Sequence, residues 1–149
     1  MTFSLAIDAT EFQAHLTRQF EAAAPAVQNA MADELYRVIA GNFGAFGIER
    51  PYDWAALSKP YAKKVKRDFA TLEVSGALKS AVIREYSGDT ARVYTNNDQV
   101  PYAMAQMKGY SPNNLPARSV FPFAEDGSAL PFTQASVVEA ARQRLSELI

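Results

Sequence analysis

The sequence predicts an α+β domain: an N-terminal helical pair, a small antiparallel β-sheet of three to five strands, and a C-terminal helix packed on the sheet. Three observations predict it. Apolar residues recur every third or fourth position over residues 10–43 and 133–149, the period of a helix with one buried face. Two runs rich in β-branched and aromatic residues, 82–86 and 91–95, are joined by Ser87-Gly88-Asp89-Thr90, which favours an antiparallel hairpin. No linker or internal repeat divides the 149 residues, a length that buries a core without staples. A single domain is therefore expected, with helices over 1–43, a loop, basic helix and sheet core over 44–132, and the closing helix over 133–149.

Taken in order, Asp8 and Thr10 are candidate N-caps, and Thr10-Glu11-Phe12-Gln13 has the form of a capping box. Phe12, Leu16 and Phe20 then make one apolar stripe. Pro25 cannot donate to a preceding carbonyl, so the helix is expected to break or kink near residues 22–24 and a second to run over 25–43. Val27, Met31, Leu35, Val38 and Ile39 are its core face, and Gly41 and Gly44 bracket its end. Residues 44–53 form a loop by their glycines and proline, followed by Trp54, which is expected to bury against the sheet.

Ser58, with Pro60 in the first turn behind it, opens a helix over 59–69 whose narrow apolar stripe is Tyr61, Val65 and Phe69. Ser75 caps a short helix through Ala81, with Leu78 and Val82 pointing inward. Residues 102–107 read as one or two helical turns stopped by Gly109. Residues 119–123 are a third strand candidate, confined to an edge by Pro122, and 125–128 a turn. The last helix presents Val137, Val138, Ala141, Leu145 and Leu148 on one face.

Composition excludes several classes. With 48% apolar and 21% charged residues the chain is neither disordered nor a membrane span, and no apolar run reaches spanning length. The opening Met1-Thr2-Phe3-Ser4 has no basic and apolar leader pattern, so no secretory signal is expected. The absence of cysteine removes disulfides, thiolate metal sites and thiol catalysis. A net charge of −1 argues against bulk attraction to nucleic acid or anionic lipid. His15 is the only histidine and has no second ligand at helical spacing, and the carboxylate pairs Asp33-Glu34 and Glu125-Asp126 are adjacent residues that point apart. Phosphate-loop, dinucleotide-binding and nucleophile-elbow motifs are also missing. No enzyme, metal or cofactor is expected.

Two stretches are singled out by the residues themselves. Lys59, Lys63, Lys64, Lys66 and Arg67 are read either as a solvated helix face or as a surface facing DNA in a channel or an acidic partner. The loop 44–54 carries Phe46, Ile48, Tyr52 and Trp54; Phe46 and Tyr52 are the candidates for a subunit interface, which favours aromatic anchors.

Several motifs occur in a fixed order. Trp54-x-x-Leu57-Ser58 precedes the basic helix, and Leu72-x-x-Ser75-Gly76-x-Leu78-x-Ser80-Ala81-Val82 follows it. Then come Val93-Tyr94-Thr95-Asn96, Tyr102-Ala103-x-x-Gln106-x-x-Gly109, and Pro116-Ala117-Arg118-x-x-Phe121 before the closing helix. This order resembles the virion-morphogenesis family of tailed phages, found in Mu-like phages and prophages, whose relatives are called tail-completion, head–tail joining and neck proteins. The resemblance covers residues 54–149, with the N-terminal helical region also in place.

It implies a non-enzymatic structural subunit that forms a ring, a hexamer as first expectation, at the head–tail junction or tail terminus. Its partners would be copies of itself, other connector, neck or tail-tube proteins and, transiently, translocating DNA. Its location would be the virion, after assembly in the bacterial host cytoplasm, with no membrane contact. On the same motifs, Tyr102, Gln106 and Arg118 are candidates for contact with the next subunit; the alternatives are a rim aromatic for Tyr102 and an internal partner of a helix-terminal carbonyl or carboxylate for Arg118. A nucleic-acid-binding module using the helix at 59–67 is the alternative function.

Overall fold

A computed structural model of the chain describes residues 9–44, 46–66, 77–88, 90–96, 98 and 100–149. Its elements are α1 (Thr10–Gly41), α2 (Lys59–Val65), α3 (Ala77–Ser80), β1 (Val82–Ser87), β2 (Thr90–Thr95), α4 (Ala103–Lys108) and α5 (Pro131–Leu148), with a 3₁₀ turn at Ser111–Asn113. The architecture is α+β: a long N-terminal helix, a two-stranded antiparallel sheet and a C-terminal helix.

The N-terminal region departs from the sequence expectation. In place of a helical pair, α1 runs unbroken for 32 residues through Pro25. An interior proline loses one backbone bond and crowds the turn behind it, at about 3 kcal/mol. Tertiary packing of the helix can offset such a local penalty. Ala23, just before Pro25, is buried, and α5 lies along the same helix. The capping box is displaced as well: Ala9 stands at the N-cap position and Thr10 is the first helical residue, while Asp8 lies outside the described residues.

The core is built where α1 ends. Ile39 and Phe43 pack with Leu78, Ala81 and Val82 around the start of β1, with Val100, Ala103 and Met107 around α4, and with Val120. Leu35, Tyr36, Trp54, Val93 and Phe121 close its rim. The expected stripe of α1 holds, deepening along the helix from partly buried Val27, Met31 and Leu35 to fully buried Val38 and Ile39. Leu78 and Val82 point inward as expected.

β1 and β2 pair from Val82↔Thr95 to Ser87↔Thr90, so the connection is shorter than the four residues expected. Gly88 takes φ +55°, the left-handed conformation needed at the first position of a tight hairpin loop. Directly opposed residues share a sheet face, which puts Val82, Arg84, Tyr86, Ala91, Val93 and Thr95 on one side. That side meets α1: Arg84 pairs with Asp33 at 3.2 Å and stacks on Tyr36, and the Tyr86 hydroxyl also donates to Asp33.

Among the described residues the sheet has two strands, not three to five. The third candidate, 119–123, makes only an isolated bridge, Phe123↔Ala129. Proline explains this: Pro122 has no N–H for a ladder, and its carbonyl accepts from Leu130 N instead.

α4 ends where expected. Gly109 takes φ +78°, and a Cβ there would lie 2.9 Å from the Leu115 carbonyl oxygen and 3.0 Å from Ala117 N, both backbone, so only glycine fits. α2 begins after Ser58 with Pro60 in its first turn, then stops at Val65 rather than residue 69, with Lys66 left-handed at φ 56°. Arg67, Phe69 and the 72–76 part of the Leu72–Val82 motif lie outside the described residues.

α5 starts two residues earlier than expected. Pro131 occupies the first turn, where its missing N–H leaves nothing unsatisfied. Val137, Ala141 and Leu145 are partly buried, whereas Val138 is 57% exposed and Leu148 exposed, so the buried face is narrower than the sequence stripe. The helix packs chiefly on α1 and reaches the hairpin through Val137, which shares a cavity with β2.

Candidate functional site

The loop after α1 is fixed by side chains buried inside it. Asn42, fully buried, uses its whole amide: Nδ2 donates to the carbonyls of Glu49 (2.6 Å) and Val120 (2.9 Å), and Oδ1 accepts from Ile48 N (2.8 Å) and Glu49 N (2.9 Å). Arg50 reaches back to donate to the carbonyls of Asn42 and Gly44 and lies 3.4 Å over the Trp54 ring. Trp54 is half-buried on the core and donates from Nε1 to the Ser119 carbonyl at 3.1 Å.

From this loop the Glu49 carboxylate caps α5, accepting from Phe132 N (3.0 Å), Thr133 N (2.8 Å) and Thr133 Oγ1 (2.7 Å). Burial pushes this carboxyl up, but the bonds from Thr133 and Phe132 outweigh it and hold it below its ordinary value. A depressed carboxylate stabilises the fold above its unfolded value and loses that contribution as pH falls through the folded one. Wild type is therefore expected to be more stable than Glu49→Gln at pH 7, by about 1 kcal/mol. The gap should close below about pH 4.5, the ordinary value of the group. Thermal melts of both proteins between pH 3 and 7 check this, and a pH-independent gap would contradict it.

Three of the expected interface residues converge at one place. Arg118 donates from Nε and Nη2 to the Ala55 carbonyl (3.3 and 3.1 Å) and from Nη2 to Ala56 (3.3 Å), while its own N–H donates to the Gln106 carbonyl at 2.8 Å. The hydroxyl of Tyr52 accepts from Ser119 N at 3.3 Å. Tyr102 stands at the N-cap of α4, one turn before Gln106, and is exposed. Arg118 is only 7% exposed, and its fork is engaged by carbonyls of its own chain. Burial lowers its pKa, with Tyr61 of α2 acting in the opposite sense. Phe46 is 93% exposed.

The lysines Lys59, Lys63, Lys64 and Lys66 are all exposed, and none has an ion pair among the described residues; Arg67 lies outside them. His15 is exposed on α1. Among the described residues no three metal-liganding side chains cluster, and no helix is long and apolar enough to cross a membrane.

Two surface features escaped the sequence reading. The first is the leading part of α1. Phe12 is 63% exposed and Phe20 47%, with Leu16 half-buried between them. Ser136 bonds Glu34, and Thr133 is capped next to the end of α1, so α5 runs antiparallel to α1. At 1.5 Å per residue, α5 ends beside about residue 22, and about 18 Å of α1 projects past it. The second is an open cavity of about 380 Å³ between α1, β2 and α5, lined by Gln28, Met31, Leu35, Ala91, Val93 and Val137 among others. Gln28 Oε1 is buried there without a hydrogen-bond partner. The stripe was legible as apolar; that Phe12 and Phe20 are exposed among the described residues depends on where α5 stops.

Comparison with protein families, with curated proteins and with solved structures returned no match to this chain.

Proposed function

We propose that this chain is a structural subunit of a tailed phage or prophage that assembles into a ring at the head–tail junction or tail terminus. The motif order of residues 54–149 supports this reading, and one structural observation carries it. The projecting turns of α1 expose Phe12 and Phe20 around Leu16, an apolar stripe without a partner among the described residues of its own subunit. A second copy of the chain could bury such a stripe, and a repeated contact of that kind closes into a ring when its rotation closes. The function is then shape and interface burial, with no chemical step. Negative-stain electron microscopy of the concentrated protein is expected to show annular particles with a central opening. Compact particles without an opening, at every concentration, would overturn it.

A second reading is favoured by the unpaired lysines of α2. Lys59, Lys63, Lys64 and Lys66 present four exposed positive charges within eight residues, suited to a phosphate backbone. Duplex DNA is expected to bind at low salt with an affinity that falls steeply as salt rises, and Lys63→Glu with Lys64→Glu should abolish it. No affinity at low salt for the wild type would remove this reading.

A further inference from the structure

We propose that residues 2–8 of one subunit add as a third strand to the free edge of β2 in another copy, seating alternate apolar side chains in the cavity between α1, β2 and α5. This strand addition rests on the ring-assembly reading only in needing a second copy of the chain. The tight loop after β1 makes Ser87 and Thr90 a hydrogen-bonded pair, and bonded and non-bonded pairs alternate along an antiparallel ladder. Thr90, Arg92 and Tyr94 therefore bond to β1, while the N–H and C=O groups of Ala91 and Val93 point away from it. Among the described residues neither makes a hydrogen bond on that outer side.

Natural edge strands are usually blunted by proline, by a bulge or by a charge aimed at the covered face. β2 has none of these: its register is continuous, and it turns Ala91, Val93 and Thr95 towards α1. β1 carries such a charge, Arg84, on the same face. The cavity lies against the unblunted edge, walled by Met31 and Leu35 of α1, Ala91 and Val93 of β2 and Val137 of α5. An added strand meets two complementary features there: backbone donors and acceptors along β2, and an apolar wall under every second side chain.

Residues 2–8 precede Ala9 at the N-cap of α1 and lie outside the described residues. In their sequence Phe3, Leu5 and Ile7 alternate with Thr2, Ser4, Ala6 and Asp8, the period of a strand with one apolar face. That spacing matches Ala91, Val93 and Thr95, whose side chains share the α1 side. The segment falls short of the cavity in its own subunit. Gln28, the first lining residue of α1, is about 28 Å along the helix from Ala9. Seven extended residues span at most about 25 Å.

Site-resolved amide hydrogen exchange of the full-length protein, at a monomeric and at an assembled concentration, tests the docking beside native mass spectrometry. The Ala91 and Val93 amides are expected to slow by at least about ten-fold on assembly, while those of Arg92 and Tyr94, already bonded to β1, change little. Leu5→Pro with Ile7→Pro removes two strand donors and two apolar side chains. It should raise the concentration for half-assembly by at least about ten-fold and abolish the slowing at Ala91 and Val93.

A closed oligomer in which Ala91 and Val93 exchange as in the monomer would overturn the docking and leave the ring reading standing. Slowed exchange in a discrete dimer would support the docking and remove the ring. Slowed exchange with assembly untouched by the two prolines would overturn the assignment of residues 2–8. A monomer at every concentration would remove both docking and ring.

Discussion

Replacing Asn42 with alanine is expected to destabilise the fold by about 3 kcal/mol, enough to lower the melting temperature by roughly 6–12 °C. The magnitude follows from what would be orphaned. Asn42 is fully buried and satisfies four backbone groups: Ile48 N, Glu49 N and the carbonyls of Glu49 and Val120. Each unsatisfied buried group costs about 1–3 kcal/mol, and water entering the space left by the amide recovers part of that. The damage should spread, because the Glu49 backbone held by Asn42 belongs to the residue whose carboxylate caps α5. Asn42→Asp is the informative companion: it keeps the acceptor and loses the donor, so it should retain the bonds from Ile48 and Glu49 yet bury a charge facing the Val120 carbonyl. Chemical denaturation of the three proteins checks the order, wild type above both variants. A loss below about 1 kcal/mol for Asn42→Ala would show that the amide does not organise the loop.

Arg118→Ala is the second large effect, again about 3 kcal/mol, and Arg118→Lys is expected to recover less than half of it. The guanidinium spans two successive carbonyls, Ala55 and Ala56, with a planar fork that a single ammonium cannot reproduce. It thereby holds the segment leading into α2, while the Arg118 N–H ties the same point to the end of α4 through Gln106. This placement separates the two sequence readings of Arg118. An intersubunit role would leave monomer stability intact in Arg118→Ala and impair assembly alone; the geometry predicts that stability falls first. Melting temperatures measured at a concentration where the protein is monomeric discriminate the two.

Local pattern made much of the fold legible. The period of three to four in residues 27–39, the hairpin runs 82–86 and 91–95, Gly109 as a helix stop, and Pro60 in the first turn of α2 are each decided by residues within a few positions of one another. What failed was decided at a distance. Pro25 lies inside an unbroken α1 that packs on α5, an element more than a hundred residues later in the chain. The cap of α5 comes from Glu49 rather than from a neighbouring serine or threonine, so the helix begins earlier than its local signals suggest. The third strand at 119–123 had the right side chains and the wrong backbone, because Pro122 cannot enter a ladder.

The candidate site divides in the same way. Phe46 and Tyr52, expected in an exposed loop, are exposed, and so is Tyr102, whose alternatives were a subunit contact and a rim aromatic. Arg118 carried a sequence signal for bidentate recognition, and the recognised groups are the carbonyls of Ala55 and Ala56. The Phe12–Phe20 stripe carried a signal for burial, and periodicity alone does not say whether the covering surface belongs to the same chain. Gln28 and the cavity around it gave no sequence signal, since their neighbours come from three separate elements.

Native mass spectrometry of the purified protein over a wide concentration range tests the proposed assembly of this chain with copies of itself most directly. A discrete closed oligomer of about six subunits, with few species between it and the monomer, is the predicted result. A monomer at every concentration, or a discrete dimer that binds DNA in a salt-dependent manner, would contradict it.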